Sequence, residues 1–292
     1  MAQVSVMNLA PNKDARKCEL VLLAPHIDQI PTCLTGRTLD ESRHYELLSA
    51  MQTMRGTLYL EEGALALSQI SADGRHRLPV DDTAWHILTL DQHGEVVGCA
   101  RYMSHKNTAS FTELGLSGSA LAKSDHWGEK LRSAVEADIR YARHLGVDYV
   151  EVGGWAISPK FRNTSHALRI ALAAYSLGRI LGGCVGVGTV TQRNLSSSIL
   201  RRMGGHSLRV DDVELPAYFD SGYGCQMEIL RFESALPNPR FEGWVQELEN
   251  YLVTAQTYSF DSSLQNLQSA LNGWDTDRKS AKGFVSFSVS LK

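Results

Sequence analysis

The chain has 292 residues and a formal net charge of −3, with 43% hydrophobic and 21% charged residues. This length and composition allow a large buried core and argue against a disordered, collagen-like or coiled-coil protein. Proteins that bind nucleic-acid phosphates usually carry a basic excess, so the slightly acidic balance argues against nucleic-acid binding.

The cysteine pattern and the lack of long apolar stretches bear on metals and membranes. Five cysteines are present and no two have Cys-x-x-Cys spacing, so neither a disulfide framework nor a metal site is predicted. The first residues lack the apolar region of a signal peptide, and no stretch reaches the length of about 18 apolar residues typical of a membrane helix. We therefore expect a cytoplasmic protein without a metal or a membrane span.

The first elements predicted along the chain are a strand over Lys17–Ala24 and a helix over Glu41–Met54. Thr38 precedes Glu41 by three residues, which is the spacing of a capping box at the start of that helix. Leu58–Ile70 is consistent with a second helix or an irregular segment.

A β-hairpin is the clearest local pattern. The β-rich runs Ala84–Leu90 and Val96–Arg101 flank a short segment in which His93-Gly94 favours a turn. Helices and strands then alternate: helix Trp127–Leu145, strand Val147–Ile157, helix Ser165–Leu181, strand Cys184–Val190, helix Asn194–Met203 and strand Cys225–Phe232. This order predicts an α/β (α+β) fold with a mixed central sheet.

The sequence after Phe232 changes from alternating strand and helix patterns to a linker-like segment, which predicts a domain boundary. The next segment contains two prolines, and helical patterns return over 241–255 and 262–271 before a strand-like end. We predict a main domain over residues 1–234 and a C-terminal helical extension over residues 235–292.

The segment Glu151–Leu172 carries the strongest functional pattern. A strand ends at Ile157, a loop containing Arg162 follows, and a helix begins near Ser165. The start of a helix presents unpaired backbone N–H groups and the positive end of the helix dipole, which suits a pyrophosphate. Small side chains at Ser165 and Ala167 would let a phosphate approach the backbone.

This segment resembles the cofactor loop of the GNAT acyltransferase superfamily, Arg/Gln-x-x-Gly-x-Gly/Ala between a strand and a helix. The chain has Arg162-Asn163-Thr164-Ser165-His166-Ala167, with serine in place of the first glycine. The resemblance implies that these six residues bind coenzyme A, together with Trp155, Ile157 and Asn194. Arg162 could also be a solvated loop arginine, and Asn194 could simply cap the helix that it opens.

A second block narrows the resemblance to acyl-homoserine-lactone synthases and N-acyl amino acid synthases. Those enzymes have an aspartate before an apolar strand, a glycine turn and a strand that ends in Gly-x-x-Arg, here Asp81, Asp82, Gly94, Gly98 and Arg101. Glu151 matches the glutamate that opens their cofactor strand, whereas Gly154 stands where they have arginine. The tyrosine that GNAT proteins often place near Leu200 or Arg201 as a general acid is absent. The resemblance covers roughly residues 56–207.

The resemblance implies a GNAT-type, mostly antiparallel sheet and direct attack of an amine on a thioester. Glycines 153 and 154 inside a strand favour a β-bulge, which would aim a backbone N–H near Trp155–Ile157 at the thioester carbonyl. Glu151 is the candidate base, and Asp82 and Arg101 are candidates for orienting the acceptor. His76 is expected in a surface loop.

Three functions are therefore weighed. The first is transfer of an acyl group from acyl-coenzyme A or acyl carrier protein to a small-molecule amine, as in an N-acyl amino acid synthase. The second is acetyl-coenzyme A-dependent N-acetylation of a small amine or peptide. The third is a non-catalytic module that binds an acyl thioester or a protein. The missing tyrosine and the serine at position 165 are the reasons for considering it.

Overall fold

The computed structural model describes residues 18–26, 30–105, 109–162 and 164–260. The predicted helix over 262–271 and the strand-like C-terminal end lie outside these residues. The strands are β1 (Glu19–Leu23), β2 (Arg37–Leu39), β3 (Trp85–Leu90), β4 (Val96–His105), β5 (Asp148–Ile157), β6 (Cys184–Thr191), β7 (His206–Ser207), β8 (Arg209–Val210), β9 (Val213–Glu214), β10 (Tyr218–Asp220), β11 (Cys225–Glu233) and β12 (Thr257–Ser259). The α-helices are α1 (Glu41–Glu61), α2 (Gly128–Leu145), α3 (Ser165–Ile180), α4 (Ser196–Met203) and α5 (Glu242–Thr254).

The central sheet is mixed and mostly antiparallel, as predicted. Its order is β10-β11-β6-β5-β4-β3-β1-β12-β2, with β7 beside β11. In the described part of the chain, the parallel pairs are β5 with β6, β1 with β12, and β12 with β2. The predicted hairpin is β3–β4, and Gly94 in its turn has a φ of +80°.

Helices cover both faces of the sheet because residues alternate along its strands. On one face, Leu22 and Val150 share a core with Ile170 of α3 and Leu252 of α5. On the opposite face, Val21 and Leu23 pack with Met51 of α1. Farther along that second face, Tyr149 and Val187 pack with Val135 of α2.

Helix α1 is longer than predicted and starts with a different cap. The side chain of Asp40, not Thr38, accepts a hydrogen bond from the backbone N–H of Arg43 at 2.9 Å. The buried face continues through Arg55 and Leu58, so the helix ends at Glu61 instead of Met54. Residues 58–61 therefore belong to α1, and a 3₁₀ turn over Leu67–Gln69 follows.

Residues 242–259 pack into the sheet layer, although they fall within the predicted extension. Helix α5 covers α3, where the Ser176 hydroxyl donates to the Val245 carbonyl at 2.8 Å. Strand β12 lies between β1 and β2. None of the helices in the described ranges is long and apolar enough to cross a membrane.

Candidate active site

Strands β5 and β6 diverge and open a cavity between them. They pair in parallel from Asp148↔Cys184 to Val152↔Gly188. Beyond that point β5 continues along β4, whereas β6 continues along β11. The cavity at this split has a volume of ≈ 190 Å³.

A β-bulge shapes the β5 side of the split, as the paired glycines predicted. Between the pairs Cys99↔Ala156 and Arg101↔Gly153, two residues of β5 face one residue of β4. Gly154 has a φ of +61°, a conformation that glycine adopts without strain. The bulge takes Gly154 and Trp155 out of the regular ladder and turns their backbone toward the cavity wall.

The cavity has an apolar wall and a polar wall. Residues of α3, α4 and β11 supply the apolar wall: Ala171, Ala174, Tyr175, Leu200, Leu230 and Phe232. The polar wall is formed by Tyr59, Glu62, Arg101, Thr191, Arg193 and Tyr223. An apolar acyl chain and a polar reacting group could therefore lie in one continuous space.

A buried cluster of charges supports the polar wall. Arg55 is 0% exposed and binds Asp81 through two hydrogen bonds, Nη1 to Oδ1 at 3.1 Å and Nη2 to Oδ2 at 2.7 Å. The Gln52 amide and the Leu78 backbone N–H also donate to Asp81 Oδ2, at 3.0 and 3.1 Å. Burial opposes ionisation of Asp81, but the hydrogen bonds from Arg55 outweigh it and lower the pKa of the carboxyl.

Arg101 joins this cluster and faces the cavity. Its Nη1 lies 3.6 Å from Asp81 Oδ1, too far for a hydrogen bond. Within the described part of the chain, neither its Nε nor its Nη1 has a hydrogen-bond partner. These two atoms are buried, whereas the side chain as a whole is 19% exposed and lines the cavity, where a guanidinium is suited to an anionic ligand group.

Asp82, predicted to help orient the acceptor, lies outside the cavity. Its side chain is exposed, and its backbone carbonyl accepts a hydrogen bond from His26 N at 3.1 Å. The neighbouring Asp81 ends a 3₁₀ turn over Pro79–Asp81 that points its carboxylate inward. Of the two adjacent aspartates, Asp81 is thus the one that contacts Arg101.

Glu151, the predicted base, anchors a loop and does not line the cavity. Its two carboxylate oxygens accept hydrogen bonds from the backbone N–H groups of Gly115 and Leu116, both at 2.8 Å, and from His105 Nε2 at 2.9 Å. Burial opposes its ionisation, but the bond from His105 and the two backbone bonds outweigh it and lower the pKa of the carboxyl. These contacts point away from the split, toward the core under α2.

A second charged cluster lies at the mouth of the cavity, and we call it the mouth cluster: Glu62, Arg162 and Arg193. Arg162 Nη2 is 2.5 Å from Glu62 Oε1, and its Nε donates to the Ile157 carbonyl at 3.4 Å. Arg193 donates to the Glu62 carbonyl at 2.6 Å and to the Gly224 carbonyl at 2.8 Å. The cluster ties the end of α1 to the loop before α3 and to the β10–β11 turn.

Comparisons with known proteins identify the fold of the chain. No family model and no curated protein matches the chain. Among solved structures, a CoA-dependent acyl-homoserine lactone synthase, BjaI, matches with a TM-score of 0.50 and 12% identity, over 83% of this chain and 93% of that one. The chain shares the fold of that structure, a GNAT-type fold.

Two other solved structures match with lower TM-scores. FeeM, an N-acyl amino acid synthase from uncultured soil microbes, has a TM-score of 0.39 and 11% identity, over 68% of this chain and 88% of that one. A mosquito arylalkylamine N-acetyltransferase-like protein has a TM-score of 0.41 and 13% identity, over 74% of this chain and 100% of that one.

The predicted phosphate loop of the GNAT fold is partly described. Thr164 is the N-cap of α3, and its hydroxyl accepts from the His166 backbone N–H at 3.2 Å. The His166 ring is buried against Phe161, with ring centroids 5.7 Å apart, and Ala167 is also buried. Ser165 is half-buried at the helix start. Asn163 and the side chain of Asn194 lie outside the described part.

The strand residues predicted to bind the cofactor lie at the bulge. Trp155 lines the cavity, and its carbonyl accepts a hydrogen bond from the Tyr59 hydroxyl at 3.3 Å. The Trp155 indole Nε1 is buried and has no hydrogen-bond partner in the described ranges. Ile157 contributes its carbonyl to Arg162 and pairs with Gly98.

Sequence reasoning missed Arg55 and misplaced His76. Met51, Arg55 and Leu58 share one face of α1. An arginine among the apolar residues of that face would have indicated a buried charge. His76 is 5% exposed and not a surface residue, and burial lowers its pKa to about 4. Tyr59, Glu62, Arg193 and Tyr223 carried no motif that would have indicated the cavity.

Proposed function

We propose that the protein transfers an acyl group from a pantetheine thioester to the amine of a small acceptor that carries a carboxylate. Acyl-coenzyme A and acyl carrier protein are the candidate donors, and an amino acid is the candidate acceptor. The observation that carries the proposal is the cavity between the diverging strands, which combines a bulged backbone, an apolar wall and Arg101.

The donor would occupy the split between β5 and β6. Its phosphates would bind at the start of α3, where the first-turn N–H groups have no intrahelical partners. Its acyl chain would pack on the apolar wall. The thioester carbonyl would then lie beside the bulge, where backbone N–H groups near Trp155 and the Trp155 indole N–H would stabilise the oxyanion.

The acceptor would approach the thioester from the polar wall. Its carboxylate would bind the guanidinium of Arg101, which lines the cavity with a side chain that is 19% exposed. Asp81, which is itself bound by Arg55, lies 3.6 Å from Arg101 Nη1, so the Arg101 guanidinium is already oriented before the acceptor binds. A carboxylate on Arg101 would place the α-amine within reach of the thioester.

The fold neighbour is consistent with this donor class. The BjaI structure is described as that of a CoA-dependent synthase with SAM and isopentyl-CoA. The two sequences are 12% identical, so the likeness concerns the fold alone. Use of an acyl thioester by the present chain is therefore part of the proposal.

Amine-dependent thiol release is the test of the proposal. Acyl-coenzyme A donors of increasing chain length, and an acyl carrier protein loaded with the same chains, are supplied with leucine or with isoamylamine, which lacks the carboxylate. We expect leucine to be preferred and longer chains to outperform acetyl. Preference for acetyl would favour N-acetylation, and binding of donors without release under any condition would favour a non-catalytic module.

Arg101→Met tests the acceptor site. Loss of a charge-assisted hydrogen bond costs about 1.5–3 kcal/mol, so kcat/KM for leucine should fall about 10–150-fold while isoamylamine is little affected. Arg140→Met, which removes an exposed arginine on α2, is the matched control. Equal losses with both acceptors would contradict carboxylate recognition by Arg101.

A further inference from the structure

The cavity contains one carboxylate among its described lining residues. That residue is Glu62, and the other charged lining residues are Arg101 and Arg193. Glu151 and Asp82, the carboxylates predicted from the sequence, are absent from the described lining. An ammonium group that enters this cavity therefore meets one acid able to take its proton.

The position of Glu62 is set by its backbone, independently of its carboxylate. It is the C-cap of α1, with φ −83° and ψ −2°. Its carbonyl accepts the 2.6 Å hydrogen bond from Arg193, which also binds Gly224. The carboxylate can change partners while these backbone contacts keep the residue at the cavity wall.

Arg162 is the partner that such a change would involve. Its guanidinium is 2.5 Å from the Glu62 carboxylate, and the two side chains are 32% and 27% exposed. An ion pair this exposed contributes little to stability, so a phosphate group at the start of α3 can compete for the arginine. Arginine binds phosphate with paired hydrogen bonds, which favours the exchange.

We infer that Glu62 accepts the proton of the acceptor amine, and that the donor's phosphates prepare it by drawing Arg162 away. The inference rests on the proposed acyl transfer and assigns the base of that reaction. Arg193 contacts Glu62 through the backbone carbonyl, and Tyr59, Tyr223 and Arg101 line the same cavity.

The chemistry balances without a further reactant. Glu62 takes one proton from the substrate ammonium, and the neutral amine attacks the thioester carbonyl. The C–N bond forms, the C–S bond breaks, and the second amine proton goes to the departing thiolate. Glu62 then releases its proton to water, so the products are the amide, the thiol and one proton.

The exchange also predicts an order of binding. Before the donor binds, the Glu62 carboxylate is held by Arg162. After the donor binds, the same carboxylate can attract an ammonium. We therefore expect initial-rate kinetics in which the donor binds first.

Glu62→Gln, with Glu61→Gln as the exposed matched control, tests the inference. A general base contributes about 10²–10⁴-fold, so Glu62→Gln should lower kcat/KM by at least about 100-fold at pH 7 with a high-pKa amine. The loss should shrink for acceptors whose amine is largely neutral at pH 7. A purely structural role would give the same loss with every acceptor and would overturn the inference.

Binding of coenzyme A, measured by calorimetry, separates the two proposals. Glu62→Gln should bind coenzyme A as tightly as the wild type or more tightly, because Arg162 loses its ion pair with the Glu62 carboxylate. Weaker binding would overturn the exchange. A wild type that releases thiol with no amine would overturn the proposed function, whereas an active wild type with an equally active Glu62→Gln variant would overturn the role of Glu62 alone.

Discussion

Two arginine–carboxylate pairs flank the cavity, and they differ mainly in their exposure. In the pair Arg55–Asp81 the side chains are 1% and 0% exposed. In the pair Arg162–Glu62 they are 32% and 27% exposed. Both pairs have short contacts, 2.7 and 2.5 Å, so their geometry alone does not distinguish them.

The surroundings determine what each pair can do. Removal of one partner from a buried pair leaves an unpaired charge in the interior, which costs about 3–5 kcal/mol. The same change in an exposed pair costs about 0–1 kcal/mol. The buried pair is therefore suited to holding Arg101 in place, and the exposed pair is suited to exchanging partners with a substrate.

The largest effect is expected from Asp81→Asn. It leaves the buried guanidinium of Arg55 without its counter-charge, so the free energy of unfolding should fall by about 3–5 kcal/mol in urea denaturation. Asp82→Asn, at the exposed neighbouring position, should change it by less than about 0.5 kcal/mol. Similar losses in the two variants would show that burial does not separate these aspartates.

The pH dependence of stability gives the next largest effect. His86 Nε2 donates a 2.8 Å hydrogen bond to the Asp81 backbone carbonyl, and burial lowers the pKa of its ring from the usual 6.5 to about 4. Because the unfolded chain protonates His86 at higher pH than the folded protein, unfolding takes up a proton between these values and stability falls as the pH is lowered. Between pH 7 and pH 5 this residue should account for a loss of about 2 kcal/mol.

His86→Gln isolates that contribution. The variant should lose less stability than the wild type on going from pH 7 to pH 5, measured by urea denaturation at both values. His93→Gln, in the exposed hairpin turn, should leave the pH dependence unchanged. An identical pH dependence in all three proteins would show that His86 is not the group that titrates.

Gly154→Ala tests whether the bulge and the buried cluster are coupled. A side chain at φ +61° costs about 1–2 kcal/mol, and its Cβ would lie 3.4 Å from Arg55 Nη1 and from Arg101 Cβ. Gly63→Ala carries the same strain at φ +66°, with no atom within 4 Å of the added Cβ. We expect similar stability losses but a fall in thiol release only for Gly154→Ala.

The smallest effect concerns the mouth cluster. A double-mutant cycle with Glu62→Gln and Arg162→Gln should give a coupling energy below about 1 kcal/mol for stability. Thermal or urea unfolding of the four proteins measures it. A coupling energy of several kcal/mol would show that the Arg162–Glu62 pair is as strong as a buried pair. That result would contradict the proposed exchange of partners.

The sequence was sufficient for most of the fold between residues 84 and 207. The hairpin, α2, α3 and the alternating strands each carry a clear hydrophobic period or a glycine turn, so local pattern and tertiary structure agree. The bulge at Gly154 and Trp155 was predictable because two adjacent glycines, Gly153 and Gly154, interrupt the strand pattern. By contrast, β2 and β12 have three residues each, too few to show an alternation.

The site was less predictable because its contacts join distant parts of the chain. Glu62 and Arg162 are adjacent in space through the packing of α1 against the sheet, which no spacing rule indicates. Asp81 and Asp82 are indistinguishable as sequence, since a local turn decides which one points inward. Glu151 matched a family position, yet its hydrogen bonds depend on the loop at Gly115, whose course the sequence did not specify.

Strand β12 has a consequence for how the chain is synthesised. It joins β2 to β1, and the contact of Arg37 Nε with Ser259 Oγ spans 222 positions. The N-terminal strands therefore leave the ribosome long before β12 is synthesised. Strand β2 stays unpaired until residues 257–259 emerge. Contacts of such long range slow folding and leave strand edges exposed to other chains. During translation the nascent N-terminal edge is thus open to pairing with other chains until residues 257–259 emerge.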